Sequence, residues 1–184
     1  MDMSTEAELI AQLQDPASRD AAFRKLVVQY QERLYWHIRR IVLVHDDADD
    51  VLQNTFIKVF KHIGQFKGDS QLYSCMYRIA TNEALSFLRK NSKIQAVDSE
   101  AMQDYMVSRL EADPYFDGDS AQRALQRALA QLPEKQRLVF NLKYFEEMKY
   151  EQMSEVLETS VGALKASYHH AVKKIEQYLK TVNS

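Results

Sequence analysis

Residues 150–174 read YEQMSEVLETSVGALKASYHHAVKK, and this stretch decides the fold of the C-terminal part of the chain. It predicts a short helix over Tyr150–Leu157, a turn at residues 158–160, and a longer helix over residues 161–179. Ser160 stands where its hydroxyl would cap the second helix and leave other first-turn N–H groups open to a phosphate. Two helices joined in this way are typical of the helix-turn-helix motif that reads DNA. From spacing alone, an ordinary pair of packed helices with a solvated outer face is an equal alternative.

The composition of the whole chain extends the helical prediction beyond this motif. Its 184 residues are enough for one medium domain or two small ones, and 46% of them are hydrophobic, as in a folded protein. Only 4 Gly and 3 Pro are present, too few for the frequent turns of an all-β protein. We therefore predict an all-α fold.

A loss of helical periodicity divides the chain into three parts. Residues 94–120 lack the periodicity and carry one basic side chain against seven acidic ones. They predict a flexible acidic linker, with a short helix around residues 102–110, between two small helical bundles. The N-terminal bundle spans residues 1–93 and the C-terminal bundle residues 121–184. Within the first bundle, Ser70 is predicted to cap a long helix over residues 71–90.

Cysteine usage and apolar runs indicate where the protein works. Cys75 is the only cysteine, so neither an intrachain disulfide nor a thiolate metal cage can form, as expected in the reducing cytoplasm. The longest apolar run, residues 41–44, is far shorter than the roughly 20 residues of a membrane span. We predict a cytoplasmic protein without membrane insertion. No cofactor or metal is expected, because the adjacent His169 and His170 point to different sides of their helix.

A run of acids, Asp46-Asp47-Ala48-Asp49-Asp50, begins a predicted helix of the N-terminal bundle. Acids at a helix start are favourable by about 0.3–1 kcal/mol each, so the run could be purely structural. It could also hold Mg²⁺ on pyrophosphate, as in all-helical prenyl-transferring enzymes, but that chemistry needs a second acidic cluster opposite the first. Only the linker acids could supply one, and they lack helical support. We therefore do not predict an enzyme of this class.

A third informative stretch follows a predicted loop. Residues 66–93 carry five basic side chains against two acidic ones, with aromatic residues between them. Such a surface suits single-stranded DNA, because exposed bases stack on aromatic rings while cations follow the backbone. The loop at residues 64–70 could add a pocket for an extruded base. The alternative for each aromatic residue is a place in the core.

Several motifs resemble one known family. The segments Leu132-Pro133-Glu134-Lys135-Gln136-Arg137-Leu138, Tyr150-Glu151-Gln152-Met153 and Thr159-Ser160-Val161-Gly162-Ala163-Leu164-Lys165 resemble the C-terminal domain of bacterial sigma factors. Asp46–Phe60 resembles their polymerase-binding helix, and residues 66–90 resemble the segment that captures melted DNA. By these motifs the chain is identified as a member of the extracytoplasmic-function type of the sigma-70 family. The resemblance implies a C-terminal helix-turn-helix domain of winged-helix-like form.

The resemblance also implies three sets of interface residues. The set that docks on the β′ subunit of core RNA polymerase is Asp49, Asp50, Gln53, Asn54, Ile57 and Lys58. The set at the melted −10 element is Phe66, Lys67, Ser70, Tyr77, Arg78, Asn82, Arg89 and Lys90. The set at the −35 duplex is Gly162, Ala163, Lys165, Ala166, Ser167, His169, His170, Lys173 and Lys174.

The sequence departs from the family at several of these positions. The family often has Thr at position 163, and Arg at positions 167 and 170, where this chain has Ala163, Ser167 and His170. Fewer permanent charges imply different −35 contacts. Cys75 stands where the family usually has Trp, which implies a differently packed core.

The implied partners are core RNA polymerase, through its β′ and β subunits, promoter DNA and an anti-sigma factor. The free protein is expected to be a monomer. The alternative reading is a helix-turn-helix regulator that binds duplex DNA without polymerase; it leaves the acidic helix and the basic segment after residue 66 unexplained. Dimerisation would favour that alternative, since palindromic sites need two copies.

Overall fold

The computed structural model describes residues 3–92, 100–113 and 118–184, and within them every regular element is a helix. The all-α prediction is confirmed. In chain order the helices are α1 Met3–Gln14, α2 Arg19–Val42, α3 His45–Ile63, α4 Leu72–Ser92, α5 Glu100–Ala112, α6 Ser120–Ala130, α7 Glu134–Phe140, α8 Tyr150–Leu157 and α9 Val161–Val182, with a π-helical turn at Asn141–Phe145 continuing α7.

The N-terminal bundle forms because α2, α3 and α4 each bury one apolar face. On α2 the buried side chains recur every four residues, at Leu26, Tyr30, Leu34 and Ile38. This spacing keeps them on one side of the helix, where α3 and α4 pack. α1 joins the bundle through Leu13, which is fully buried.

The start of α4 differs from the sequence prediction. Its N-cap position is held by Gln71, whose carbonyl oxygen accepts from the N–H of Cys75 at 3.1 Å, and Ser70 lies one residue before it. The predicted cap at Ser70 is therefore wrong. The first helical hydrogen bond thus uses the carbonyl of Gln71, so the helix begins at Leu72.

The C-terminal part contains the predicted helix-turn-helix, formed by α8 and α9. Met153 and Val156 of α8 and Leu164 of α9 are buried at their contact. The winged-helix-like form is wrong, because residues 118–184 hold only helices and turns. After the recognition segment the chain continues as helix to Val182, and none of the described residues forms a β-wing.

The described part of the predicted linker is packed rather than extended. The short helix expected around residues 102–110 is confirmed as α5, and its Met102, Met106 and Leu110 lie in the same apolar cluster as the N-terminal bundle. Ion pairs flank it, from Arg109 to Asp47 and from Arg39 to Asp113. The predicted boundary between residues 93 and 94 lies outside the described residues.

The two helical bundles contact each other along an interdomain seam. α4 packs against α8, and the apolar cluster runs from one bundle into the other. Glu146, just after the π-helical turn, accepts from Arg40 Nη1 at 2.8 Å and from the Tyr77 hydroxyl at 2.6 Å. Arg89 pairs with Glu134 at 3.2 Å across the same seam. We call this contact between the two bundles the closed arrangement.

A buried histidine lies beside the seam. The Thr81 hydroxyl donates to the Tyr77 carbonyl oxygen at 2.7 Å and therefore accepts from His37 Nε2–H, 2.8 Å away. Burial, aided by the charge of Arg40, lowers the pKa of His37 from 6.5 to about 3. The imidazole is thus neutral in the folded protein at ordinary pH.

This depressed pKa predicts a loss of stability in acid. Between pH 6.5 and pH 3 the unfolded chain binds a proton that folded His37 does not, so the free energy of unfolding rises with pH across that window and is level above it. Between pH 7 and pH 5, the free energy of unfolding of wild type should fall by about 2 kcal/mol more than that of His37→Gln. Urea unfolding of both proteins at both pH values measures the difference. Equal losses would contradict the buried neutral ring.

None of the described helices is both long and apolar enough to cross a membrane. Within the same residues, no group of three or more His, Cys, Asp or Glu side chains is arranged to hold a metal ion.

Candidate functional site

The predicted polymerase-docking residues lie on the outer side of α3. Asp50, Gln53, Asn54 and Ile57 are exposed and follow the three- and four-residue spacing of one helical face. We call these four residues the docking stripe. Ile57 is 52% exposed although its side chain is apolar. The opposite side of α3 is buried, so the helix divides into a core face and a free face.

The remaining two docking residues flank this stripe and are engaged within the protein. Asp49 is half-buried and lies 3.4 Å from His45 Nε2. Lys58 is exposed and pairs with Glu83 of α4. All six predicted residues are therefore brought together on one surface.

α4 extends the docking stripe with residues that the sequence did not assign to it. A shallow pocket of about 360 Å³ lies between the two helices, lined by Asp50, Gln53, Asn54, Phe87, Lys90 and Asn91. Phe87 and Asn91 were missed because their proximity depends on the antiparallel pairing of α3 and α4. Lys90, predicted for the −10 element, borders the docking stripe instead of the loop described next.

Part of the predicted −10 set lines a larger pocket. We call it the loop pocket: about 430 Å³ between the 64–71 loop, the end of α3 and the first turns of α4. Phe66, Lys67, Ser70 and Arg78 all line it. Gly68 has a φ of +76°, the left-handed region that glycine adopts without strain, and this lets the loop turn tightly over the opening.

Cys75 also lines the loop pocket. Its side chain is half-buried, and burial raises the pKa of the thiol although Arg78 opposes the shift. The thiol is therefore protonated and acts as a small apolar wall of the pocket. The pocket thus combines cations, an amide and apolar atoms around a space large enough for a planar base.

The other −10 residues are separated by the geometry of α4. Asn82, Arg89 and Lys90 are exposed, and Arg89 is held by Glu134. Tyr77 is fully buried, and its hydroxyl donates to Glu146. In this arrangement Tyr77 cannot contact DNA, which corrects its predicted place on the exposed surface.

The reason for the burial of Tyr77 is its position around the helix. Tyr73, Tyr77, Ala80 and Ala84 lie on the face of α4 that packs inward, while Arg78 is one step round the helix. Burial, with Glu146 nearby, raises the pKa of Tyr77 far above its ordinary value. The phenol therefore stays neutral and acts as a hydrogen-bond donor across the seam.

The predicted −35 residues lie together on α9. Ser160 Oγ accepts from the N–H of Ala163 at 3.3 Å, so the predicted cap is confirmed. The set is solvent-accessible, with Ala163 and Ser167 partly covered and the others exposed: Gly162, Lys165, Ala166, His169, His170, Lys173 and Lys174. A helix start with free N–H groups, followed by lysines on the same face, suits the phosphates and base edges of a duplex major groove.

Comparisons with known proteins show the family of the chain. The model of sigma-70 region 2 matches residues 26–94, and the model of sigma-70 region 4 matches residues 122–175. The chain is 31% identical to the RNA polymerase sigma-H factor of Pseudomonas aeruginosa, with 86% of each chain covered. It is 27% identical to the ECF RNA polymerase sigma-E factor of Escherichia coli, covering 84% of this chain and 85% of that protein.

Two solved structures share the fold. The structure of CnrH in complex with the cytosolic domain of CnrY aligns with a TM-score of 0.70 at 21% identity, covering 96% of this chain and 97% of that one. The sigma factor RpoE of Bartonella quintana, solved with the anti-sigma factor NepR, aligns with a TM-score of 0.65 at 20% identity, covering 86% and 96%. The chain belongs to the extracytoplasmic-function type of the sigma-70 family of RNA polymerase sigma factors, non-catalytic subunits that direct the polymerase to promoters and to the initiation of transcription.

Proposed function

We propose that the three surfaces divide this activity among them. The docking stripe of α3 binds the β′ subunit of core RNA polymerase, the loop pocket and the exposed face of α4 take the melted −10 strand, and α9 enters the major groove of the −35 element. The observation that supports this division most strongly is their separation. The docking stripe and the −35 set each lie on one helix, and four residues of the −10 set line the loop pocket, whereas Lys90 borders the docking stripe and Tyr77 is buried.

Polymerase docking on α3 follows from its charge and exposure. Two carboxylates and two amides surround Ile57 on the docking stripe and its flank, so a basic partner helix would form ion pairs while covering an apolar side chain. Such a combination of one desolvated apolar group and a polar rim is typical of protein interfaces. A duplex would instead be repelled by Asp49 and Asp50.

Capture of the −10 strand requires a pocket and cations beside it. The loop pocket offers Lys67 and Arg78 for the backbone and enough volume for one extruded base. Arg89 would join them when its contact with Glu134 breaks. We infer that the sigma factor holds the melted strand open in this way while polymerase performs the chemistry.

Promoter binding would require the closed arrangement to open. The −35 and −10 elements lie a few helical turns apart, at roughly 34 Å of duplex for each turn. A compact chain of this length has a radius of gyration of about 16 Å, and hence a diameter of roughly 40 Å. We therefore propose that the bundles separate when polymerase binds, so that each reaches its own element.

An anti-sigma factor is the partner that we propose for the inactive state. Such a factor is bound in the solved RpoE–NepR complex, whose sigma factor shares this fold. We place the protein in the cytoplasm, where polymerase and DNA are.

The role of α9 predicts a defined salt dependence. Lys173→Ala should weaken binding of the full chain to any duplex by a similar factor, and lower the slope of log affinity against log salt by about 1, because one phosphate contact is lost. Lys180→Ala, on the same helix but outside the −35 set, is the matched control. Fluorescence anisotropy across a salt series measures both. Identical slopes for the two variants would contradict a duplex on this face.

The division of labour as a whole is tested by scoring one variant of each surface in three assays. Asp50→Lys should remove co-elution with core polymerase, Lys173→Ala should weaken duplex binding, and Arg78→Ala should reduce permanganate reactivity of promoter thymines in the assembled holoenzyme. Each variant should show its largest loss in the assay for its own surface. If all three lost every activity together, the surfaces would not act separately and the proposal would fail.

A further inference from the structure

The first helix contacts the loop pocket at the beginning of the loop. The side chain of Gln14, the last residue of α1, donates from Nε2 to the carbonyl oxygen of Phe66 at 2.7 Å. The same nitrogen lies 3.4 Å from the carbonyl oxygen of Ile63, which ends α3. One amide of α1 therefore holds the backbone at the point where the loop leaves α3.

The same helix also holds the end of the loop. Glu6 Oε1 accepts from the backbone N–H of Leu72, the first residue of α4, at 2.5 Å. A carboxylate at a helix N-terminus satisfies an otherwise unpaired N–H and meets the positive end of the helix dipole. The N-cap residue itself does not provide this, because the side chain of Gln71 accepts from Gln152 Nε2 at 3.0 Å. α4 is thus capped from a different helix.

α1 is firmly seated and can transmit position to the loop. Leu13 is fully buried, and Leu9 and Ile10 pack against the main apolar cluster. Glu6 and Gln14 are eight residues apart, about 12 Å along a helix, which matches the two ends of a short loop. The pocket-lining residues Lys67 and Ser70 lie between the two held points.

We infer that α1 is a positioning element for −10 recognition, and that Glu6 and Gln14 set the base preference of the loop pocket by fixing both ends of the 64–71 loop. This inference rests on the proposed role of the loop pocket and deepens it. Neither residue contacts DNA in this account. Both act through the backbone, by holding the pocket walls at a fixed spacing.

The test uses full-length variants in holoenzyme with core polymerase from the source bacterium. Glu6→Gln removes the charge at the start of α4, Gln14→Ala removes the amide at Phe66, and the double variant removes both. Glu8→Gln is the matched control, since Glu8 is an exposed acid on the same helix and undergoes the same change. Promoter melting is scored by permanganate footprinting on templates that carry each of the four bases in turn at every −10 position.

The expected result is a loss of discrimination. With wild type and Glu8→Gln, melting should depend strongly on the −10 base. With the double variant, the preferred template should melt roughly tenfold less well, while melting of the other templates should change little. A factor of this size is what the loss of a charge-assisted hydrogen bond allows. Affinity for core polymerase should match the control, and the thermal midpoint of the free protein should fall by only about 2–8 °C, because a helix cap and one further hydrogen bond are lost.

Two outcomes would overturn the inference. One is a double variant with the base preference of wild type. The other is a double variant that weakens melting of all templates by the same factor, which would make α1 a purely structural helix. Failure of the proposed function is distinguishable from both, because then Arg78→Ala, a change in the loop pocket itself, would melt every template as well as wild type does.

Discussion

Replacing Asp50 with Lys is expected to abolish co-elution with core RNA polymerase. Asp50 is exposed at the N-terminal end of the docking stripe and has no ion-pair partner among the described residues, so its charge is available to a partner protein. A lysine would place a like charge against the basic partner expected there. Loss of a desolvated charge pair costs about 2–5 kcal/mol, a fall in affinity of roughly 30-fold to several thousand-fold.

The matched control for this prediction is Asp104→Lys. Asp104 is an exposed acid on α5, so the variant has the same net charge as Asp50→Lys but leaves α3 unchanged. Both should keep the thermal midpoint of wild type, because neither side chain is buried. Titration of labelled polymerase with each protein gives the affinities. Equal affinities for the two variants would remove the docking stripe from the polymerase interface.

Replacing Glu146 with Lys is expected to open the closed arrangement. The Glu146 side chain is only 7% exposed and joins Arg40 and Tyr77 of the other bundle. Arg40 also stacks on the ring of Phe145, 4.4 Å from the ring centroid, so its guanidinium is held in place. A lysine there would put two positive charges together in a half-buried site. We expect roughly 3 kcal/mol of the interdomain stability to be lost, or about a hundredfold in favour of the open form.

Small-angle scattering and hydrogen exchange measure this opening. The radius of gyration should increase, and amides of α4 and α8 at the seam should exchange faster while those of α2 and α3 stay protected. Adding Arg40→Glu to Glu146→Lys should restore closure, because the charges are exchanged in place. The control is Glu147→Lys, which changes the exposed neighbouring residue. An unchanged radius for Glu146→Lys would mean that apolar packing alone holds the seam.

Features that depend on neighbouring residues were predictable from the sequence. The helix-turn-helix, the Ser160 cap and the helix around residues 102–110 all follow from spacing within one or two turns. The same holds for the docking stripe, since α3 alone decides which of its residues face out. The residues of the −35 set likewise lie together, because a single helix presents all of them.

Features that depend on distant residues were not predictable. Tyr77 has the aromatic character of a stacking platform, and only Glu146, 69 positions along the chain, shows that it belongs to the seam. Ser70 resembles an N-cap, yet α4 is capped by Glu6 across 66 positions. The packing of α5 likewise depends on partners in other helices, Asp47 among them, so the sequence of this acidic stretch, with little local pattern, predicts only a free tether.

Run-off transcription tests the central claim most directly. Core RNA polymerase from the source bacterium is incubated with a pool of that bacterium's promoter fragments, with wild type, Asp50→Lys or no added protein. The account predicts discrete new transcripts with wild type and none with Asp50→Lys. If wild type gave no new transcript and did not co-elute with polymerase, a sigma factor that docks through α3 would be contradicted.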